Sequence, residues 1–320
     1  MVKNYQLSIV IPTFNRAEAL DHSLKVHIPI LRDHGIGLYI FDNNSTDNTE
    51  KVVGKWMNEY EHLSYYKNER NIGARANIER ALRHPDSDYI WMIGDTYQLP
   101  TDCLAHILKL FENCSYDAVV FNLANKLTLP SSDYKDHNFL LRDLGALTSC
   151  LSCTIFSKEM LNMANFSKHQ ATEFPHTRIL FEGVSQKNFV VHWMQQFSVS
   201  VFEEMDFVKS NWFHSDQIWE IACEDWVKFI MSLPTPYTIE NKKVCIKDFG
   251  KISGHFTLSG FFLLRMNGLL NFKIANQNRD ALNLSADYNW WIILFISILP
   301  SSITKLLFNL RQTLRKLKPR

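Results

Sequence analysis

Three short polar segments follow apolar runs that read as buried strands: Thr13-Phe-Asn-Arg16, Asp42-Asn-Asn-Ser45 and Gly94-Asp95. Carboxylates, amides and a guanidinium at strand ends can hold a polar ligand by hydrogen bonds. Further along, Glu173 in Thr172-Glu-Phe-Pro-His-Thr177 and the pair Glu224-Asp225 are carboxylates of the type that can take a proton from a reacting hydroxyl.

Such groups act together only if the backbone brings them to one place. Leu7-Ser-Ile-Val-Ile-Pro12, Gly37-Leu-Tyr-Ile-Phe-Asp42, Leu63-Ser-Tyr-Tyr66, Asp88-Tyr-Ile-Trp-Met-Ile93 and Ala118-Val-Val-Phe121 read as strands. Between them, 17–32, 49–62, 73–82 and 102–111 carry apolar residues at helical spacing. Alternating strand and helix predicts an α/β fold with a mostly parallel sheet and right-handed crossovers. In such sheets ligands lie beyond the carboxyl ends of the strands, so the three polar segments are expected to line one crevice. GxGxxG and GxxxxGK[ST] are both absent, which disfavours a nicotinamide or P-loop site.

The 320 residues suffice for one large domain or two modest ones, and 46% hydrophobic content supplies a core. Lys and Arg total 34 against 33 Asp and Glu, a balance that argues against nucleic acid as a partner. The six cysteines include one CxxC, Cys150–Cys153, with no second pair at metal-ligand spacing, so buried reduced thiols are expected. The first residues lack a long apolar stretch, and no signal peptide is expected.

Four motifs in order carry a family resemblance: Ser8-Ile-Val-Ile-Pro-Thr-Phe-Asn-Arg16, Phe41-Asp-Asn-Asn-Ser-Thr-Asp-Asn-Thr49, Asn71-Ile-Gly-Ala-Arg-Ala-Asn77 and Ile93-Gly-Asp95. Together they resemble the family 2 glycosyltransferases of GT-A fold, closely over the first third of the chain. More loosely, Ser149 to Glu159 and Glu173-Phe-Pro-His176 are similar to bacterial O-antigen and polysaccharide transferases. The resemblance implies a Rossmann-like α/β sheet flanked by helices and a nucleotide-sugar donor, a UDP-sugar foremost. It places Pro12, Thr13, Asn15, Arg16, Asp42, Asn44, Gly73, Arg75, Asn77 and Asp95 around that donor. Asp42 would accept from a base N–H, Thr13 and Asn15 would support base and ribose, and Arg16 and Arg75 would fork onto phosphate oxygens. Gly73 would let the backbone approach where a helix N-terminus faces the nucleotide. Each segment also has a plainer reading as an Asx turn, a helix cap or a turn glycine. Arg32 and Arg80 are expected on solvated helix faces.

Relatives carry two or three acids in a DxD-like cluster where this chain has Gly94-Asp-Thr-Tyr-Gln98. The resemblance implies a divalent cation, Mg²⁺ or Mn²⁺, on the donor diphosphate, with Asp95 as its ligand. Only Asp95 is acidic here, so three readings stay open: Asp95 alone holds the metal, Arg and Lys replace it, or catalysis is weakened.

Inverting transfer needs a base, which relatives place at a helix start beyond the sheet. Glu173 precedes a helical pattern with Pro175 in its first turn, and it is the first candidate. Asp225 is the second, although Glu224-Asp225 lies within an amphipathic pattern. His176 could orient a phosphate or serve the core. The small residues Ser149–Thr154 could line a sugar pocket or pack as a strand. Trp212, His214 and Trp219 could offer an acceptor platform or core packing.

The last segment differs in composition. Trp290–Leu299 is apolar but too short to span a bilayer, which takes about 20 residues. After Pro300, leucines recur at helical spacing among Lys305, Arg311, Arg315, Lys316, Lys318 and Arg320, and no acid follows Asp287. This pattern predicts an amphipathic tail on an anionic membrane surface. The expected organisation is a nucleotide-sugar half (1–125), an acceptor and catalytic half (126–287) and the tail (288–320). The expected function is sugar transfer to a lipid-linked saccharide acceptor in bacterial surface polysaccharide synthesis, on the cytoplasmic face of the membrane. The competing classes are a catalytically weakened sugar-nucleotide-binding or assembly subunit and a membrane-tethered scaffold.

Overall fold

The computed structural model describes residues 5–166, 172–202 and 215–316, with side chains through residue 310. These residues divide into two compact units, one of 5–140, 147–202 and 234–236 and one of 141–146, 215–233 and 237–316.

The first unit is built on one mixed sheet. Its strands are β1 (Leu7–Thr13), β2 (Gly37–Asp42), β3 (Leu63–Lys67), β4 (Tyr89–Met92), β5 (Tyr97–Gln98), β6 (Ala118–Leu123), β7 (Ser132–Tyr134), β8 (Thr154–Ser157) and β9 (Val191–Val201). Spatial order is β3-β2-β1-β4-β8-β6-β9-β5, with β7 paired to β9. The expected parallel block β3-β2-β1-β4 forms, joined by α1 (Ala17–Arg32), α2 (Thr49–Met57) and α3 (Ala74–Arg83). β1 and β4 are mostly apolar and are buried on both faces, as strands covered by helices must be.

β8 departs from the parallel scheme. It inserts antiparallel between β4 and β6, so β4 and β6 run in the same direction. The carboxyl ends of β1, β2, β3, β4 and β6 therefore share one edge. Trp91 of β4 is fully buried, stacks on Phe121 of β6 at 4.6 Å and donates its indole N–H to the Ser152 carbonyl at 2.8 Å. Burying a side chain of this size stabilises by roughly 1.5–3 kcal/mol. Later in the chain, β8 and β9 return to this sheet.

α1 is tied to Leu99, just after β5, by a buried histidine. Leu99 N–H donates to His27 Nε2 at 3.1 Å, so the imidazole proton sits on Nδ1, which bonds Ser23 Oγ at 3.1 Å. Burial pushes the His27 pKa down to about 4.

The second unit is helical. A π-helical turn, Trp219–Asp225, runs into Trp226–Ser232, and Trp226 stacks on Phe249 of helix Ile239–Ser253 at 4.7 Å. Trp219 is core here: it is buried and its indole N–H donates to Leu269 O at 2.8 Å. Helices Trp290–Ile298 and Ser301–Lys316 fall in this unit. Ile293 and Ile296 are buried, whereas Trp291 is 70% exposed and Phe295, Ile298, Leu306 and Leu310 are also exposed. Among the described residues no helix is long and apolar enough to cross a membrane.

Candidate active site

The carboxyl edge of the sheet gathers the polar segments into two linked clusters. In the first, the Asp95 carboxylate accepts from Thr13 Oγ1 at 3.0 Å on Oδ2 and from Arg16 Nη1 at 3.3 Å on Oδ1. The Asp95 side chain is nearly buried and that of Arg16 is 39% exposed. Burial pushes the Asp95 pKa up, while the Arg16 charge and the Thr13 hydroxyl pull it down. The turn carrying Asp95 is fixed from behind, where Gly94 N–H donates to Ser152 Oγ at 3.0 Å. Gly94 has little room for a side chain, since a Cβ would lie 3.0 Å from the Tyr97 ring. Thr96 and Tyr97, the next residues, add no carboxylate.

The second cluster joins the loops after β1 and β2. Asp42 is fully buried. Its Oδ1 accepts from Ser45 N at 2.8 Å and Ser45 Oγ at 2.5 Å, and its Oδ2 accepts from Tyr65 Oη at 2.6 Å. Asn15 N–H donates to Ser45 Oγ at 2.8 Å, and Asn15 Oδ1 accepts from Thr46 N at 2.8 Å. Asn15 and Asn44 both adopt positive φ, 51° and 66°, a conformation that asparagine tolerates better than most residues. Pro12 precedes them inside β1, in register with Phe41.

Asn77 is also internal: it donates to Phe41 O at 2.8 Å and accepts from Asn68 at 3.0 Å. Asn68 bonds Asn43 at 2.9 Å, and Asn43 receives Ile72 N–H at 2.9 Å, so this amide network fixes the loop before α3. Arg80 was expected in solvent, but its guanidinium bonds Asn68 Oδ1 and lies over the Phe41 ring at 5.7 Å. Gly73 has φ +86°, and a Cβ built there would meet nothing within 4 Å. Glycine is therefore required there by backbone conformation, in a loop that is itself open.

At the start of α3, Arg75 Nη2 lies 3.3 Å from Glu173 Oε1, with both side chains partly exposed. A guanidinium and a carboxylate that the sequence assigned to different tasks thus form one ion pair. Asp225 ends the π-helical turn of the second unit, after Glu224, which bridges to Lys228 at 2.7 Å. His176 is buried and donates from Nε2 to Ser149 O at 3.1 Å, and burial pushes its pKa down to about 4. It sits in the core as a neutral ring. Trp212 and His214 lie outside the described residues. Two short 3₁₀ turns, Leu147–Ser149 and Leu151–Cys153, lead into β8, with Ser152 as the buttress of the Asp95 turn. Cys150 and Cys153 are both buried and free, and Cys114 is exposed.

The Glycosyl transferase family 2 sequence model matches residues 8–205, well over half of the chain. The chain belongs to glycosyl transferase family 2. Among curated relatives it is 26% identical over 215 residues to abequosyltransferase RfbV of Salmonella typhimurium, covering 59% of this chain and 64% of that protein. It is 24% identical over 119 residues to the GalNAc(5)-diNAcBac-PP-undecaprenol beta-1,3-glucosyltransferase of Campylobacter jejuni, covering 34% of this chain and 38% of that one. The chain therefore spans less than two thirds of the length of these relatives. Among solved structures, mannosyltransferase PcManGT from Pyrobaculum calidifontis, in complex with GDP-Man and Mn²⁺, superposes with a TM-score of 0.57 at 15% identity, covering 95% of this chain and 88% of that one. S. aureus TarS 1-349 in complex with UDP-GlcNAc gives a TM-score of 0.54 at 12% identity, covering 88% and 84%. These likenesses establish the fold.

The resemblance named Asp95 as a metal ligand, and the residues around it fit a divalent cation poorly. Mg²⁺ and Mn²⁺ take oxygen ligands from one or two free carboxylates, substrate phosphates and water. Here a single carboxylate is already engaged by Thr13 and Arg16. Among the described residues no group of three His, Cys, Asp or Glu could hold a metal ion.

The sequence reading also missed residues. Tyr65 and Ser152 hold the two clusters in place from far along the chain, whereas Ser45 bonds Asp42 only three residues away and also takes the distant Asn15 N–H. Phe14 could have been found: it is an apolar ring between polar neighbours at a strand end, and it is 41% exposed.

Proposed function

We propose that the chain transfers one sugar from a nucleotide sugar, a UDP-sugar foremost, to a saccharide acceptor in bacterial surface polysaccharide synthesis. The observation that carries this reading is the Thr13–Asp95–Arg16 cluster on the shared carboxyl edge of β1, β2 and β4, beside the open loop before α3. The cluster offers hydroxyl, carboxylate and guanidinium groups suited to ribose and diphosphate, and Phe14 offers a face to the base. Asp42 has both oxygens engaged beneath this surface, so it serves by positioning the loop of Ser45 rather than by touching the base.

Transfer proceeds by single displacement with inversion. The acceptor hydroxyl oxygen attacks the anomeric carbon, and the bond from that carbon to the phosphate oxygen breaks. The nucleoside diphosphate leaves with the electron pair, and the hydroxyl proton passes to the Glu173 carboxylate. Arg75, ion-paired to Glu173, is placed to meet the diphosphate. Asp225 stands as the second candidate base.

The acceptor is a lipid-linked saccharide, and the protein works as a peripheral protein on the inner face of the membrane. Support comes from the exposed apolar residues of helices Trp290–Ile298 and Ser301–Lys316, and from a terminal sequence with basic and no acidic residues after Asp287. The relative named for a PP-undecaprenol-linked glycan points the same way. The single acid at the β4 turn favours a second reading, a sugar-nucleotide-binding subunit without turnover. Glu173→Gln decides the assignment of the base. Turnover is expected to fall by about 10²–10⁴-fold with nucleotide affinity kept, and full activity in that variant removes Glu173 from the mechanism. Nucleotide binding by the wild-type chain without transfer to any lipid-linked saccharide supports the subunit reading.

A further inference from the structure

The poor fit of a divalent cation raises the question of what balances the charge of the donor. A divalent ion held by two carboxylates is a neutral unit. The pair of Asp95 and Arg16, one carboxylate with one guanidinium, is also neutral. It lacks one acid and exchanges a charge of two for a charge of one, so the balance at the turn is kept. We propose that Arg16 is the built-in cation of this donor site, and that the chain binds the nucleotide diphosphate without a metal ion.

Three observations carry the assignment. First, Arg16 is held in place: its Nη1 bonds Asp95 Oδ1 at 3.3 Å, while Thr13 occupies the other oxygen at 3.0 Å. A divalent cation arriving at Asp95 would meet a fixed guanidinium at close range, and like charges repel. Second, the guanidinium has donors to spare. It carries five N–H groups in a planar fork, a match for phosphate oxygens, and the side chain is 39% exposed. Third, the positions that could complete a cation site are filled by other chemistry. Thr96 is buried, and Tyr97 is held by the packing of its ring against Gly94 and by its bond to Cys150.

During transfer, negative charge grows on the departing diphosphate. A guanidinium already fixed on Asp95 stabilises that charge without reorganising, the same service a metal ion performs elsewhere. The inference rests on the transferase reading, and the test separates the two. Binding of UDP and of GDP to the full chain is measured by calorimetry in EDTA, in Mg²⁺ and in Mn²⁺. One of the two nucleotides is expected to bind with affinities that agree within about twofold across the three conditions. Arg16→Gln is expected to weaken that binding by about 10- to 100-fold in EDTA, the effect of losing a charge-assisted bidentate contact. Arg16→Lys keeps the charge without the fork and is expected to fall between. Thr96→Asp restores a second acid and is expected to make binding respond to Mn²⁺. Thermal melts of each variant check that the fold is intact.

Binding by the wild type that appears only with Mg²⁺ or Mn²⁺ overturns the inference and leaves the transferase reading standing. Wild-type affinity in a folded Arg16→Gln also overturns it. Absence of binding to either nucleotide under every condition removes both the inference and the donor-binding reading beneath it.

Discussion

His27 offers a sharp test of how the crevice is held together. It joins α1, which begins immediately after Arg16, to Leu99, which follows the Asp95 turn. The ring must be neutral there, because Nε2 accepts the Leu99 N–H and burial excludes a charge. Its pKa in the folded chain is about 4, against 6.5 when exposed. The sign follows from which state binds the proton. Between these values the unfolded chain is protonated and the folded chain is not, so acid favours unfolding. The contribution is intact above pH 6.5, is lost as pH falls, and stops changing below about 4. The whole span of 2.5 pH units corresponds to about 3 kcal/mol, and the loss at pH 5 is about 2 kcal/mol. His27→Leu removes this titration and leaves the Leu99 N–H without an acceptor, at a cost of about 1–3 kcal/mol at pH 7.5. Urea unfolding of both proteins at pH 7.5 and pH 5 is the assay. The variant is expected to be weaker at pH 7.5 and to lose about 2 kcal/mol less than wild type on acidification. His176 is present in both proteins, so its similar depression cancels in the comparison. Parallel losses in the two proteins would refute the reasoning, because they would mean that the His27 site accepts a proton in the folded state.

Two further predictions test the loop assignments and the membrane surface. Asp42→Asn is expected to lower stability by about 2 kcal/mol and nucleotide affinity together, because it disturbs the loop of Ser45 and the bond from Tyr65. Melting and calorimetry check this, and lost affinity with unchanged stability would indicate direct contact with the base. Trp291→Glu combined with Phe295→Glu places two charges on an exposed apolar face and is expected to abolish sedimentation with anionic vesicles while leaving soluble nucleotide binding unchanged. Unchanged sedimentation would remove that face from the membrane-docking proposal.

Much of the sheet was legible because runs such as Leu7–Ile11 and Tyr89–Met92 are mostly apolar, without the alternation of a half-exposed strand, and end abruptly in polar residues. A run of that kind tells where a strand lies but not its direction. Thr154–Ser157 is too short and too evenly buried to reveal that it runs antiparallel between β4 and β6. The site was legible as a set of strand ends, and its division of labour was not. Asp42 and Asp95 lie at strand ends and Asn77 in the first turn of α3, and all three are short polar residues. What separates them is the partner each finds far away in the chain: Tyr65 for Asp42, the Phe41 carbonyl for Asn77, Arg16 for Asp95. Spacing along the chain carries no information about such pairings.

The same limit applies to the lone acid at the β4 turn. Seen along the sequence, Asp95 beside Thr96 and Tyr97 is a reduced cluster, and a reduced cluster suggests reduced chemistry. Arg16 lies far from it in sequence but within 3.3 Å in space, and its charge belongs to the same site. A missing carboxylate weakens a site only if the charge it would have balanced is still required. Where a fixed monovalent cation replaces a bound divalent one, the second acid would itself be the uncompensated group. At the buried position of Thr96 its desolvation would oppose the binding of an anionic donor. Loss of the acid and placement of the arginine are then two halves of one electrostatic arrangement.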